Sequence, residues 1–272
     1  MQPAYVLFSL AALIGTVYAV WKLAREVRRK NLRALPVKPG WSEILEKNIK
    51  IYRHLPTSLR EELHGHIQVF LHEKNFEGCG GLELNEEIKV TVAAQACLLL
   101  LNRKTNYYPK LTSILIYPST YIVKNETDET GMVVQEQLHL GESWRTGLVV
   151  LAWDEVLSGA LNPGDGHNVV FHEFAHQLDQ EDGEADGTPI LEKRSHYLSW
   201  ARVLGNEFTR FQKNSFKRFK TVMNRYGATD PSEFFAVATE TFFEKSKEMK
   251  AKHPDLYDEL KNYYKVDPLT WI

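Results

Sequence analysis

Apolar residues recur at three- and four-residue intervals through the first third of the chain. Ile44, Leu45, Ile49 and Tyr52 share one helical face; after a restart at Pro56-Thr57, Leu59, Leu63, Ile67 and Phe70 share another. That period predicts helices from Trp41 to about Phe76. Gly78-Cys79-Gly80-Gly81 reads as a flexible turn. Glu86 to Leu101 reads as a third helix: acids open it, and its second half is small or apolar on every side, which suits a central core position. From Leu111 the period shortens. Ser113–Tyr117, Gly131–Gln137 and Gly147–Trp153 are short and rich in β-branched residues, with a polar loop at Lys124–Thr130, so strands are expected there. Helical patterns return at 169–179, from about Glu192 to Phe219, and after Asp230-Pro231-Ser232-Glu233, which has the N-cap, Pro at N1 and Glu at N3 of a helix start. Helices before and after a group of strands predict an α+β fold.

The amino terminus has a different pattern. Pro3 through Trp21 contains no charged side chain. As a helix this stretch would be about 28 Å long, close to the ~30 Å hydrocarbon core of a bilayer. Lys22, Arg25, Arg28, Arg29, Lys30 and Arg33 follow it, and only the α-amino group precedes it. The positive-inside rule then places the amino terminus outside and the main domain in the cytoplasm. A cleaved signal peptide would carry its basic residues before the apolar run, not after it. The expectation is a single-pass membrane anchor at 1–22, a basic juxtamembrane linker at 23–40 broken by Pro36, Pro39 and Gly40, and one catalytic domain at 41–272.

Composition adds little. Of 272 residues 25% are charged and the net charge is -2, which gives no electrostatic reason for a nucleic-acid partner. Cys79 and Cys97 fit neither a C-x-x-C motif nor a disulfide framework, so reduced thiols are expected. His64 and His66, at i and i+2, do not share a helix face and read as ordinary surface or core histidines.

The candidate chemistry lies at Val169–Asp179. His172 and His176 stand one helical turn apart on one face, so both can reach one metal ion, and Glu173 is rotated about 100° from His172. This is the H-E-x-x-H pattern of zinc peptidases, in which the glutamate serves as general base. The rest of the segment is apolar, so the helix should be buried, and burying two imidazoles and a carboxylate without partners costs several kcal/mol, roughly. A catalytic zinc takes three protein ligands and leaves a position for water. Spacing leaves the third open among Asp182, Glu233, Glu240 and Glu244. Asp182 falls where a third ligand would follow H-E-x-x-H-x-x-G-x-x, but Asp179 replaces the glycine that turn requires. Glu240 lies near the same helix face as Glu233 and suits a hydrogen bond to a ligand histidine. Asp179 lies nearly over His172 and serves either the same purpose or as the end of the helix.

Gly80-Gly81-Leu82, Ala93–Cys97, Gly141–Trp144, His172–Asp179 and Tyr226–Val237 together resemble the Mlc titration factor A family of zinc peptidases, over about Ile44 to Pro268. The resemblance implies a zincin-like, gluzincin-type fold and Zn2+ held by His172, His176 and Glu233. It also implies Glu173 as catalytic base and Tyr226, seven residues before the third ligand, as a stabiliser of the transition state. It implies a peptide or protein substrate, with an aminopeptidase-type preference. The alternative it brings is a membrane-anchored protein-binding module that sequesters a regulatory partner such as a transcriptional repressor.

Overall fold

The computed structural model describes residues 2–119, 126–127, 133–134, 147–215 and 221–271. Most of the expected strand at 131–137, most of the polar loop before it, and the Gly141–Trp144 motif lie outside the described residues.

Helix α1 (Gln2–Arg33) runs unbroken through the boundary expected between anchor and linker. Arg25, Arg29 and Arg33 recur every four residues and so share one face. That face packs on α4 (Thr57–Glu73), which follows the short helices α2 (Trp41–Asn48) and α3 (Lys50–His54). Arg29 is 1% exposed and grips Glu73 through Nε at 2.7 Å and Nη2 at 2.9 Å. It also donates to Asn106 Oδ1 and the Asn106 carbonyl, both at 3.0 Å. Arg25 adds a second ion pair to Glu73, and Gln68 donates to the Pro36 carbonyl at 2.9 Å. Arg25 and Arg29 of the expected linker are thus paired with Glu73 of α4. Among the described residues no helix is long and apolar enough to cross a membrane. The transmembrane anchor expected over residues 1–22 is not supported there; the side chains of 2–9 and 11, much of its apolar run, lie outside the description.

After α4 the chain forms β1 (Asn75–Gly78), not the end of a helix. It pairs in parallel with β2 (Ser113–Tyr117), Asn75 opposite Ser113. Between the two strands runs α5 (Glu86–Leu98), capped by the Asn85 side chain and buried from Val90 onward. A two-residue antiparallel pair, β3 (Glu126–Thr127) and β4 (Val133–Val134), precedes β5 (Leu148–Ala152). Strand β5 pairs in parallel with the other side of β2, giving the sheet order β1-β2-β5. Ile114, Ile116, Val149 and Leu151 point into the core from one face of this small sheet. Gly147, at φ +74°, makes the turn into β5; a Cβ there would stand 2.7 Å from the Lys110 carbonyl oxygen.

The remainder is helical: α6 (Trp153–Leu161), α7 (Val169–Asp179), α8 (His196–Ser215), α9 (Pro231–Glu244), α10 (Ser246–Lys252) and α11 (Pro254–Tyr264). The fold is thus mostly helical around a small parallel sheet. Helix α7 packs against both α9 and α5. Phe174 of α7 lies against Tyr108 and Phe70, with ring centroids 4.8 and 5.7 Å away. Cys79 and Cys97 are both free thiols.

Candidate metal centre

Helix α7 begins at Asn168, whose side-chain oxygen accepts the Phe171 amide at 3.0 Å. The asparagine is held from two other helices. Its Nδ2 donates to Gln95 of α5 at 2.9 Å and to Glu244 of α9 at 3.1 Å, and its amide donates to Glu240 Oε2 at 2.7 Å. The start of α7 is therefore fixed in three directions.

One and two turns further on, His172 and His176 present their rings edge to face, centroids 4.8 Å apart. Each has a partner at Nδ1. His172 meets Glu240 Oε1 at 2.8 Å, and His176 meets Ser232 Oγ at 3.0 Å. The two Nε2 atoms face each other across 3.2 Å. Glu233 completes the triangle: its Oε2 lies 3.1 Å from His172 Nε2 and 3.5 Å from His176 Nε2. That oxygen is buried and has no hydrogen-bond donor. Three potential metal-ligand atoms converge in this buried place. A zinc ion ~2.0–2.2 Å from each of three tetrahedral ligands would set them about 3.3 Å apart, so the three separations fit that ion. Among the described residues this is the one cluster of three or more such ligand atoms within 4.8 Å of each other.

The electrostatics agree. Burial opposes charge on His172, but Glu233 and Glu240 outweigh it and carry its pKa up to about 10 in the absence of metal. Burial also opposes charge on Glu233, yet the two histidines hold its carboxyl down to about 2. Burial lowers His176. The site attracts positive charge and keeps its carboxylate ionised.

Glu233 reaches the centre because α9 starts beside it. Asp230 caps the helix by accepting the Glu233 amide at 3.0 Å, and Pro231 takes the first position. Tyr226, in a turn of 3-10 helix at Arg225–Ala228, lies with its ring 6.0 Å from His172 and its hydroxyl 3.4 Å from Glu233 Oε1. It is 54% exposed, and burial together with the Glu233 charge raises its pKa, so the hydroxyl stays protonated as a donor. Glu173 is 2% exposed beside the histidines, and its charge is felt at both His172 and Tyr226.

The other candidates go elsewhere. Asp182 is exposed and accepts the Glu184 amide at 3.1 Å, away from the cluster. Glu244 lies behind Asn168, where burial, only partly offset by that hydrogen bond, pushes its carboxyl up to about 8. Asp179 ends α7, and its Oδ2 accepts from Ser232 Oγ at 2.8 Å and from the Gly187 amide at 3.0 Å. Its position in the last turn directs it toward α9 and the following loop, a direction helix spacing alone does not specify. Ser232, Asn168 and Gln95 were not singled out as site residues from sequence. Asn168 carried a usable signal, an asparagine just before an apolar helix. Ser232 carried none beyond its place beside Pro231.

Residues 23–265 match the family model described as glucose-regulated metallo-peptidase M90. An uncharacterized protein of Synechocystis sp. is 40% identical over 265 residues, covering 96% of each chain. Mlc titration factor A of Klebsiella pneumoniae is 30% identical over 235 residues, 85% of this chain and 87% of that one. The Escherichia coli protein of the same name is 28% identical over 254 residues, covering 92% and 91%.

Proposed function

The chain belongs to the glucose-regulated metallopeptidase family M90, and from that premise we propose that it is a zinc-dependent peptidase hydrolysing peptide bonds in a peptide or protein substrate. The observation that carries this reading is the triangle of His172 Nε2, His176 Nε2 and Glu233 Oε2, with separations of 3.1 to 3.5 Å. Two imidazoles from an H-E-x-x-H helix and a glutamate from a later helix form the ligand set of a gluzincin-type zincin, and a nitrogen-rich, oxygen-completed set suits zinc. Bound there, zinc would act as a Lewis acid on the scissile carbonyl and lower the pKa of a water to about 7. Glu173, buried next to His172, would accept a proton from the attacking water and return it to the departing amine. Tyr226 donates its hydroxyl proton as a hydrogen bond to the oxyanion that develops on the carbonyl. Glu240 and Ser232 stand at Nδ1 of the two imidazoles, 2.8 and 3.0 Å away.

Metal analysis tests the ligand set. The purified chain should hold one equivalent of zinc, Glu233→Ala should lose it and Asp182→Ala should keep it. The reverse pattern would remove Glu233. The aminopeptidase-type preference rests on the resemblance and is tested with free and amino-blocked chromogenic peptides; equal, chelator-sensitive cleavage of both would make the enzyme an endopeptidase.

The location is a proposal too: the amino-terminal end of α1 rests in a bilayer, with the catalytic domain on the cytoplasmic side. Leu13, Ile14, Val17, Tyr18, Val20 and Trp21 are 53–62% exposed on α1, and exposed Lys22, Arg28 and Lys30 follow them. Full-length chain remaining in the membrane pellet after alkaline carbonate washing supports this; quantitative release opposes it.

A further inference from the structure

The two ligand histidines are held by different means. His172 meets a carboxylate directly, through Glu240. His176 Nδ1 meets a hydroxyl instead, and the Asp179 carboxylate stands one hydrogen bond further away. We propose that Ser232 is a positioning residue for zinc binding, a hydroxyl relay that imposes the Asp179 charge on His176 and locks its tautomer. The inference rests on the zinc reading above.

The direction of the relay follows from donor and acceptor chemistry. An ionised carboxylate only accepts, so the Ser232 hydroxyl proton goes to Asp179 Oδ2 across 2.8 Å. The hydroxyl oxygen then has only lone pairs to offer His176 Nδ1 at 3.0 Å, and that nitrogen must carry its proton. A neutral imidazole protonated at Nδ1 has its lone pair at Nε2, the atom facing His172 and Glu233. His176 is 0% exposed and Ser232 5%, so solvent offers the ring little help in adopting this state. The base of the relay is itself held. Asp179 Oδ2 also accepts the Gly187 amide, and the Gly187 carbonyl accepts Trp200 Nε1 at 3.0 Å. Gly187, at φ +76°, lies so close to α9 that a Cβ would stand 2.4 Å from the Pro231 carbonyl oxygen. The loop between α7 and α8 thus closes on the residue preceding Ser232 and holds the carboxylate in line with the hydroxyl.

Three measurements on the full-length chain test the relay. In competition with a chromophoric chelator, Ser232→Ala should bind zinc about 10-fold more weakly, at the lower end for a lost outer-shell partner because a neutral hydroxyl lies in the path. Asp179→Asn should show a loss of similar size. The double variant should be no weaker than the weaker single one, since both substitutions break one path. Nitrogen-15 NMR of the metal-free protein should show His176 protonated at Nδ1 in the wild type and shifted toward Nε2–H in Ser232→Ala. Unchanged zinc affinity in Ser232→Ala, or additive losses in the double variant, would overturn the relay. So would an Nε2-protonated His176 in the metal-free wild type, a result that stands whether or not zinc binds. A wild type that takes up no zinc refutes the metal reading separately, and the tautomer measurement still decides the relay.

Discussion

Glu240→Gln is the most informative single substitution, because it keeps the size of the side chain and changes only what its two oxygens can do. Glu240 is 2% exposed. Its Oε1 accepts from His172 Nδ1 at 2.8 Å and its Oε2 accepts from the Asn168 amide at 2.7 Å. A carboxylate serves both donors; a glutamine has one acceptor oxygen and one amide group that only donates. One of the two N–H groups must then face an N–H. If the amide turns toward Asn168, the start of α7 loses a buried hydrogen bond. If it turns toward His172, the ring must move its proton to Nε2, and the lone pair that binds metal is lost. A buried donor left without an acceptor costs about 1–3 kcal/mol. A shift of zinc affinity of about 10- to 100-fold corresponds to ~1.4–2.7 kcal/mol, the same range. The assay pairs chelator competition for zinc with thermal melting of the metal-free protein. The expected result is weaker zinc binding, a lower melting temperature, or both. Zinc affinity within about twofold of wild type, with an unchanged melting temperature, would refute the reasoning that both oxygens are used.

Glu173→Gln should retain its zinc while peptide turnover falls ~10²–10⁴-fold; wild-type turnover in a clean preparation would remove Glu173 as base. Zinc binding should release about one proton near neutral pH, because the His172 pKa stands at about 10 without metal and His176 is lowered. Affinity should therefore rise with pH by about one decade per unit until His172 deprotonates by itself, and calorimetry in buffers of different ionisation enthalpy counts the proton. The same raised pKa gives metal-free protein a stabilising contribution that is complete below the ordinary value of 6.5 and lost as pH rises through about 10. Arg29→Met should lower unfolding stability in urea by about 3 kcal/mol, since it strips Glu73 of its closer partner and leaves only Arg25. Burial opposes charge on Glu73, but the two arginines outweigh it and hold its pKa to about 2, so that carboxylate stabilises the fold above its ordinary 4.5 and loses the effect as pH falls toward 2. The variant's stability should vary less with pH across that window, and an unchanged acid limb would show that α1 is not held by this pair.

Local chemistry was legible in the chain itself. The spacing of His172, Glu173 and His176 needs only the helical period to be understood, and so does the start of α9 at Asp230-Pro231. The apolar surround of both segments announced that they would be buried. Glu233 was a different matter. It stands 57 residues beyond His176 in the chain, and sequence spacing did not separate it from Glu240, Glu244 or Asp182; the family resemblance pointed to it, and the packing of α9 on α7 brings its oxygen to the cluster. Contacts between distant parts of the chain decided two further points. β1 is too short to show a period, and it exists because it pairs with β2, a contact between distant parts of the chain. Asp179 has the right helical spacing for His172, yet its carboxylate turns to Ser232 and the Gly187 amide. Secondary structure follows from interactions within a turn or two, which the order of residues records. Which donor meets which acceptor across helices depends on how three buried helices close on one another, and only the folded chain decides that.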